Sequence, residues 1–116
     1  MFQPEIINLR TTVAANAESI ISETVRQKGV LTRVTMHFPP GASALVDVAV
    51  RAQNEQIVPV EGFIALDDAT QTFSIARAVE AGNEVSARIR NADGANPHTI
   101  SVIIENTPRA IFDRKD

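Results

Sequence analysis

Two histidines, one pair of adjacent aspartates and singly scattered acids are the side chains of this 116-residue chain from which chemistry could be built. His98 closes the stretch Asn91-Ala92-Asp93-Gly94-Ala95-Asn96-Pro97-His98, and one imidazole without neighbouring ligands makes a poor metal site. His37 sits between Met36 and Phe38, far upstream. Asp67-Asp68 lacks the spaced oxygens of a calcium loop and reads as turn chemistry instead. With no cysteine, disulfides, thiolate metal sites and thiol catalysis are excluded. No Gly-x-Ser-x-Gly elbow occurs, neither histidine stands in a triad setting, and Gly29, Gly41, Gly62, Gly82 and Gly94 are each isolated, so no phosphate cradle forms. No acids pair for acid–base work. The expectation is that there is no catalytic, cofactor-binding or metal-binding residue and no cofactor, and that the chain is not an enzyme.

The elements that hold these residues follow from a hydrophobic period of two, the signature of strands with one buried face. Val30, Val34, Met36 and Phe38 alternate with Arg33, Thr35 and His37 until Pro39-Pro40-Gly41 stops the strand. Val46, Val48 and Val50 oppose Asp47, Ala49 and Arg51, with Ala52 to Glu55 as a hairpin loop. Gln56 to Val60 and Phe63 to Leu66 are short segments, Asp67 to Thr70 a turn, and Thr72 to Ala76 a brief strand. Val85, Ala87 and Ile89 alternate with Ser86, Arg88 and Arg90, and Ile100, Val102 and Ile104 with Thr99, Ser101 and Ile103. Parity therefore puts His98 on the face of Ile100, near the rim of the core, where its ring can bond loop carbonyls or Asn91. His37 falls on a polar face, in solvent or at an interface.

Ile6 to Val13 is a first strand. Residues 14–28 admit two readings: Ala17, Ile21 and Val25 at four-residue spacing before Gly29 suit a helix, whereas Thr11, Thr12, Ser19, Ser22, Thr24 and Val25 favour extended backbone, with Gln27-Lys28-Gly29 turning a hairpin into the Val30 strand, and strand is the expectation. The expected core is Val34, Met36, Phe38, Val46, Val48, Val50, Phe63, Phe73, Ile75, Val85, Ala87, Ile89, Ile100, Val102 and Ile104. Seven to eight short strands without long helices describe an all-β fold, a single antiparallel β-sandwich of jelly-roll or cupredoxin-like type. One domain spans 1–116, with short arms at 1–5 and 107–116.

Partners are narrowed by charge. Eleven basic against fourteen acidic side chains give a net charge of −3, and neither half of the chain concentrates positive charge, so nucleic acid is not expected. Without Trp or Tyr, and with five Phe, little remains with which to stack bases or sugar rings. No apolar run approaches the ~20 residues of a membrane helix, and Met-Phe-Gln-Pro-Glu does not read as a signal peptide, so no membrane partner is expected.

Two resemblances bear on the fold. Asn91 to Ile100 resembles the strand, loop and strand that carries the first copper ligand in cupredoxins. That family also needs a Cys and usually a second His and a Met in a late loop, and the Cys is missing, so the fold carries over and the copper does not. More broadly, a strand starting at Gly29 and ending in Phe38-Pro39-Pro40-Gly41, then Leu45-Val46-x-Val48-x-Val50, Gln56-Ile57-Val58-Pro59 and the closing Asn91-x-Asp93-x-x-x-Pro97-His98-Thr99-Ile100-x-Val102, looks like small β-sandwich proteins of virus and phage particles. That resemblance implies a capsid, decoration or tail component that assembles with itself and with other shell proteins of a virion. The alternative is a small-ligand or carbohydrate-binding sandwich. Leu45, Ala49 and Ile103 fall opposite the main core face, and the expected interface residues are Phe2, His37, Leu45, Ile103, Ile111 and Phe112, the first and last two docking the arms onto a neighbour.

Overall fold

Alternation translates directly into burial along the two last strands. Val85, Ala87 and Ile89 are fully buried while Arg88 and Arg90 are exposed, and Ile100, Val102 and Ile104 are buried around an exposed Ile103. A computed structural model describes residues 3–108, which form nine strands: β1 (Glu5–Val13), β2 (Glu18–Thr24), β3 (Gly29–Phe38), β4 (Val46–Ala52), β5 (Glu55–Val58), β6 (Ile64–Ala65), β7 (Ala69–Val79), β8 (Glu84–Asn91) and β9 (His98–Pro108). No helix occurs among the described residues, and 14–28 holds strand β2.

All strand pairs are antiparallel and nest like a long ribbon: β4 with β5 and β6, β3 with β7, β2 with β8, β1 with β9. Folding that ribbon on itself adds the pairs β3–β9 and β4–β8. The result is two facing sheets, sheet A in the order β1-β9-β3-β7 and sheet B in the order β2-β8-β4-β5, with β6 also on β4. Consecutive strands thus alternate between sheets through most of the chain, the wrapping of a jelly roll. Gln27 to Gly29 is accordingly a crossover between sheets and not a hairpin, since β2 pairs with β8.

Between the sheets lie Leu9, Val13, Leu31, Val34, Met36, Phe38, Val46, Val48, Val50, Val85, Ala87, Ile89, Ile100, Val102 and Ile104, all inaccessible to solvent. Aliphatic side chains standing out of two pleated faces interdigitate at this spacing. Phe73 and Ile75 pack against the cluster while partly exposed. Phe63, expected in the core, lies on the outer face of sheet B instead, because its neighbours there are arginines. Ala49, expected on an apolar outer face, is only 2% exposed opposite Arg88. β7 is eleven residues and not a brief strand.

Glu5, Thr107 and Pro108, expected in the arms, belong to strands β1 and β9. The Glu5 carboxylate accepts the backbone N–H of Arg26 at 2.9 Å and of Gln27 at 3.3 Å, and an Asn106 Nδ2–H at 3.0 Å, which ties the start of β1 to the sheet crossover. Thr107 and Pro108 continue β9 opposite Val30 and Gly29. Phe2, Ile111 and Phe112 lie outside the described residues.

Candidate functional site

The polar groups most able to do chemistry sit where β8 leaves and β9 begins. Asn91, 2% exposed, donates its Nδ2 hydrogens towards the carbonyls of Val13, Ala14 and Asn96 at 3.1, 3.2 and 2.9 Å, while its Oδ1 accepts the Asp93 N–H at 2.9 Å. Asp93 Oδ1 accepts the N–H groups of Ala95 and Asn96 at 2.9 and 3.2 Å, and Oδ2 accepts His98 Nε2–H at 2.8 Å. Hydrogen bonds from the Ala95 amide and then His98 hold the Asp93 carboxyl down at about 2, because each donor favours the ionised form. His98 is buried at the rim, as parity requires, but its partner is Asp93 and not Asn91 or a loop carbonyl. Each of these groups is engaged in shaping the loop, so the cluster is a scaffold for the end of the sandwich.

The outer face of sheet A is different in kind. Its cross-strand rows read Arg10, Ser101, His37, Thr70; then Asn8, Ile103, Thr35, Thr72; then Ile6, Glu105, Arg33, Ser74. Hydroxyls bond across strands, Thr12 to Thr99 at 2.7 Å and Thr35 to Thr72 at 3.2 Å, and His37 Nδ1 meets Thr70 Oγ1 at 2.8 Å. Ile6 and Ile103, 58% and 37% exposed, are diagonal neighbours on this face, a spacing within reach of side-chain contact.

On the outer face of sheet B, Arg90 grips Asp47 with two bonds of 2.8 and 2.7 Å and lies 3.5 Å from the Phe63 ring centre, while Arg88 pairs with Glu18 and lies 5.9 Å from the same ring. The hydrogen bond to Asp47 raises the Arg90 pKa, and the bond from Arg88 lowers that of Glu18. Both guanidinium groups already hold carboxylates, so the patch pins the Phe63 loop to the sheet and leaves no free cation pair for an anion. A shallow depression of about 440 Å³ beside it is lined by Asn16, Ala17, Glu18, Leu45, Asp47 and Arg90. Among the described residues no group of three His, Asp or Glu is placed to hold a metal.

Of the expected interface residues, His37 and Ile103 share the outer face of sheet A, and Leu45 is exposed at the edge of the sheet B depression; the three do not form one site. Sequence reasoning missed exposed Ile6, Ile20 and Val60. Ile6 was readable, since Ile7 and Leu9 fix the inward parity of β1. Ile20 was hidden by the two readings of its segment.

No family model matches the chain, and no curated protein matches it in sequence. Solved structures do match in shape. A chain of the acidic stable capsid structure of Helicobacter pylori bacteriophage KHP30 aligns with a TM-score of 0.54 at 14% identity, over 93% of this chain and 94% of that one. Dimeric latent PorU from Porphyromonas gingivalis gives 0.50 at 11% identity, over 91% of this chain but 13% of that one. Identities this low speak of a shared fold. The structural neighbours thus include a phage capsid protein of similar length, in keeping with the resemblance read from the sequence.

Proposed function

We propose that the chain is a non-enzymatic structural protein that assembles with copies of itself, as a capsid, decoration or tail component of a virus or phage particle. The observation that carries this reading is the outer face of sheet A, where Ile103 and Ile6 remain exposed among paired hydroxyls. Scattered apolar side chains on a surface are ordinary, but two on diagonal positions of one face suit packing against a neighbour. The engagement of the Asn91, Asp93 and His98 cluster in loop scaffolding supports a structural role, and the phage capsid chain of similar size and fold provides a precedent. Light scattering of the purified chain over a wide concentration range, with and without a panel of simple sugars, tests it. A mass that rises to a defined multiple of 12.6 kDa, indifferent to sugar, is the expected result. A monomer at every concentration that binds one sugar saturably overturns it in favour of a ligand-binding module.

A further inference from the structure

Sheet edges differ in how well they are protected, and the difference points to one of them. A strand at a sheet edge presents unpaired N–H and C=O groups, and proteins blunt it with charge, proline or brevity. Three edges here carry such devices. β1 bears Glu5 and Arg10, β2 bears Glu18 and Glu23, and β5 is four residues long, starts at Glu55 and runs into Pro59. β7 carries none of them along Ala69-Thr70-Gln71-Thr72-Phe73-Ser74-Ile75-Ala76; its Arg77 and its register slip against β3 lie at or beyond the end of that stretch. Among the described residues it pairs only with β3. Its inward Phe73 and Ile75 are partly exposed against the core, and Arg77 further along pairs with Glu55 of β5.

Deepening the self-assembly reading above, on which this rests, we infer that two copies of the chain join by antiparallel pairing of their β7 edges about a two-fold axis at Thr72. β7 runs in regular register with β3 from Ala69 to Ser74 and slips beyond it, opposite the Leu31/Arg33 irregularity, so the regular half is the part free to continue the sheet. An axis at Thr72 sets Thr72 opposite itself and Thr70 opposite Ser74 on the outer face. On the inner face it sets Gln71 opposite Phe73 and Ala69 opposite Ile75. The paired stretch Ala69 to Ile75 is uncharged in both copies. No side chain of that stretch meets its like charge, whereas an axis moved to Ser74 would carry the pairing across the register slip and set Arg77 level with Gln71. A two-fold contact of this kind is self-complementary and closes. It joins two four-stranded sheets into one of eight and covers Phe73 and Ile75 in both copies.

The absence of cysteine gives a clean test. Thr72 is exposed, and residues facing across an antiparallel pair stand at a Cα separation that a disulfide spans. Thr72→Cys in the full chain should form a disulfide-linked dimer under mild oxidation at least tenfold faster than Thr12→Cys, which sits on the β1 edge. Thr72→Lys, which sets two ammonium groups face to face without touching the core, should weaken dimerisation at least tenfold with an unchanged unfolding midpoint in dilute monomer. Equal cross-linking at the two edges, or unchanged dimerisation of Thr72→Lys, overturns the inference; if the chain still forms oligomers in light scattering, self-assembly itself stands and another surface carries it. A monomeric Thr72→Cys chain whose thiol resists alkylation also overturns it, since the edge is then covered from within. A chain monomeric at all concentrations defeats both readings.

Discussion

Replacing Asn91 by alanine should be among the most damaging changes available outside the apolar core. The side chain is 2% exposed and joins four backbone groups: its two Nδ2 hydrogens serve the carbonyls of Val13, Ala14 and Asn96, and Oδ1 takes the Asp93 N–H. Truncation removes three hydrogen bonds' worth of donors and acceptors at a site closed to water. A lost bond costs about 1 kcal/mol net, and a buried partner left unsatisfied about 1–3 kcal/mol. Three such losses amount to about 3–9 kcal/mol, a large share of the ~5–15 kcal/mol that holds a domain together. For a chain of this size each kcal/mol moves the melting midpoint by about 4–8 °C, so a drop of at least ~12 °C is expected. Urea unfolding followed by circular dichroism reads it directly, with Thr99→Ala as the control. That change removes only an exposed hydroxyl pair and should cost less than about 0.5 kcal/mol. An Asn91→Ala chain within about 1 kcal/mol of the parent would refute the assignment of Asn91 as the clamp of this loop.

Three further outcomes follow from the same geometry. The Asp93 carboxyl is held down at about 2, below its unfolded value near ~4, so its contribution is complete above the unfolded pKa and is lost as pH falls through the folded one. Melting midpoints measured against pH should therefore fall between about pH 4 and pH 2, and less steeply in Asp93→Asn. Gly29→Ala would place a Cβ 2.1 Å from Asn106 Oδ1 and 2.4 Å from the Thr107 carbonyl oxygen, a clash with backbone that should cost at least about 1–3 kcal/mol in the same urea assay. Phe63→Ala should cost about 1 kcal/mol, the scale of a surface cation–π contact, whereas Phe38→Ala, in the core, should cost about 3–5 kcal/mol.

The sandwich was legible because most of its strands carry large aliphatics against long polar side chains, as in β8, where Val, Ala and Ile face Ser and two Arg. β7 was read short because its outward positions are Thr70, Thr72, Ser74, Ala76 and Ala78, residues too small and neutral to mark a face. Phe63 was misplaced because periodicity cannot see that Arg88 and Arg90, twenty-five and twenty-seven residues on in sequence, would come to lie over its ring. The partner of His98 was missed for a related reason: parity gives the face on which a ring lies, but the five-residue return that brings Asp93 back to it is loop geometry. Exposed Ile103 and His37 followed from parity alone. The open edge of β7 has no signal of its own in the sequence, since an edge is a property of strand order.

Hydrogen exchange of the β7 amides, followed as concentration rises, reads the pairing of this edge itself. Amides in the stretch 70–76 which point away from β3 should slow by tenfold or more from dilute to concentrated solution, while edge amides of β1 and β2 keep their rates. Exchange along β7 that stays fast and independent of concentration would contradict it.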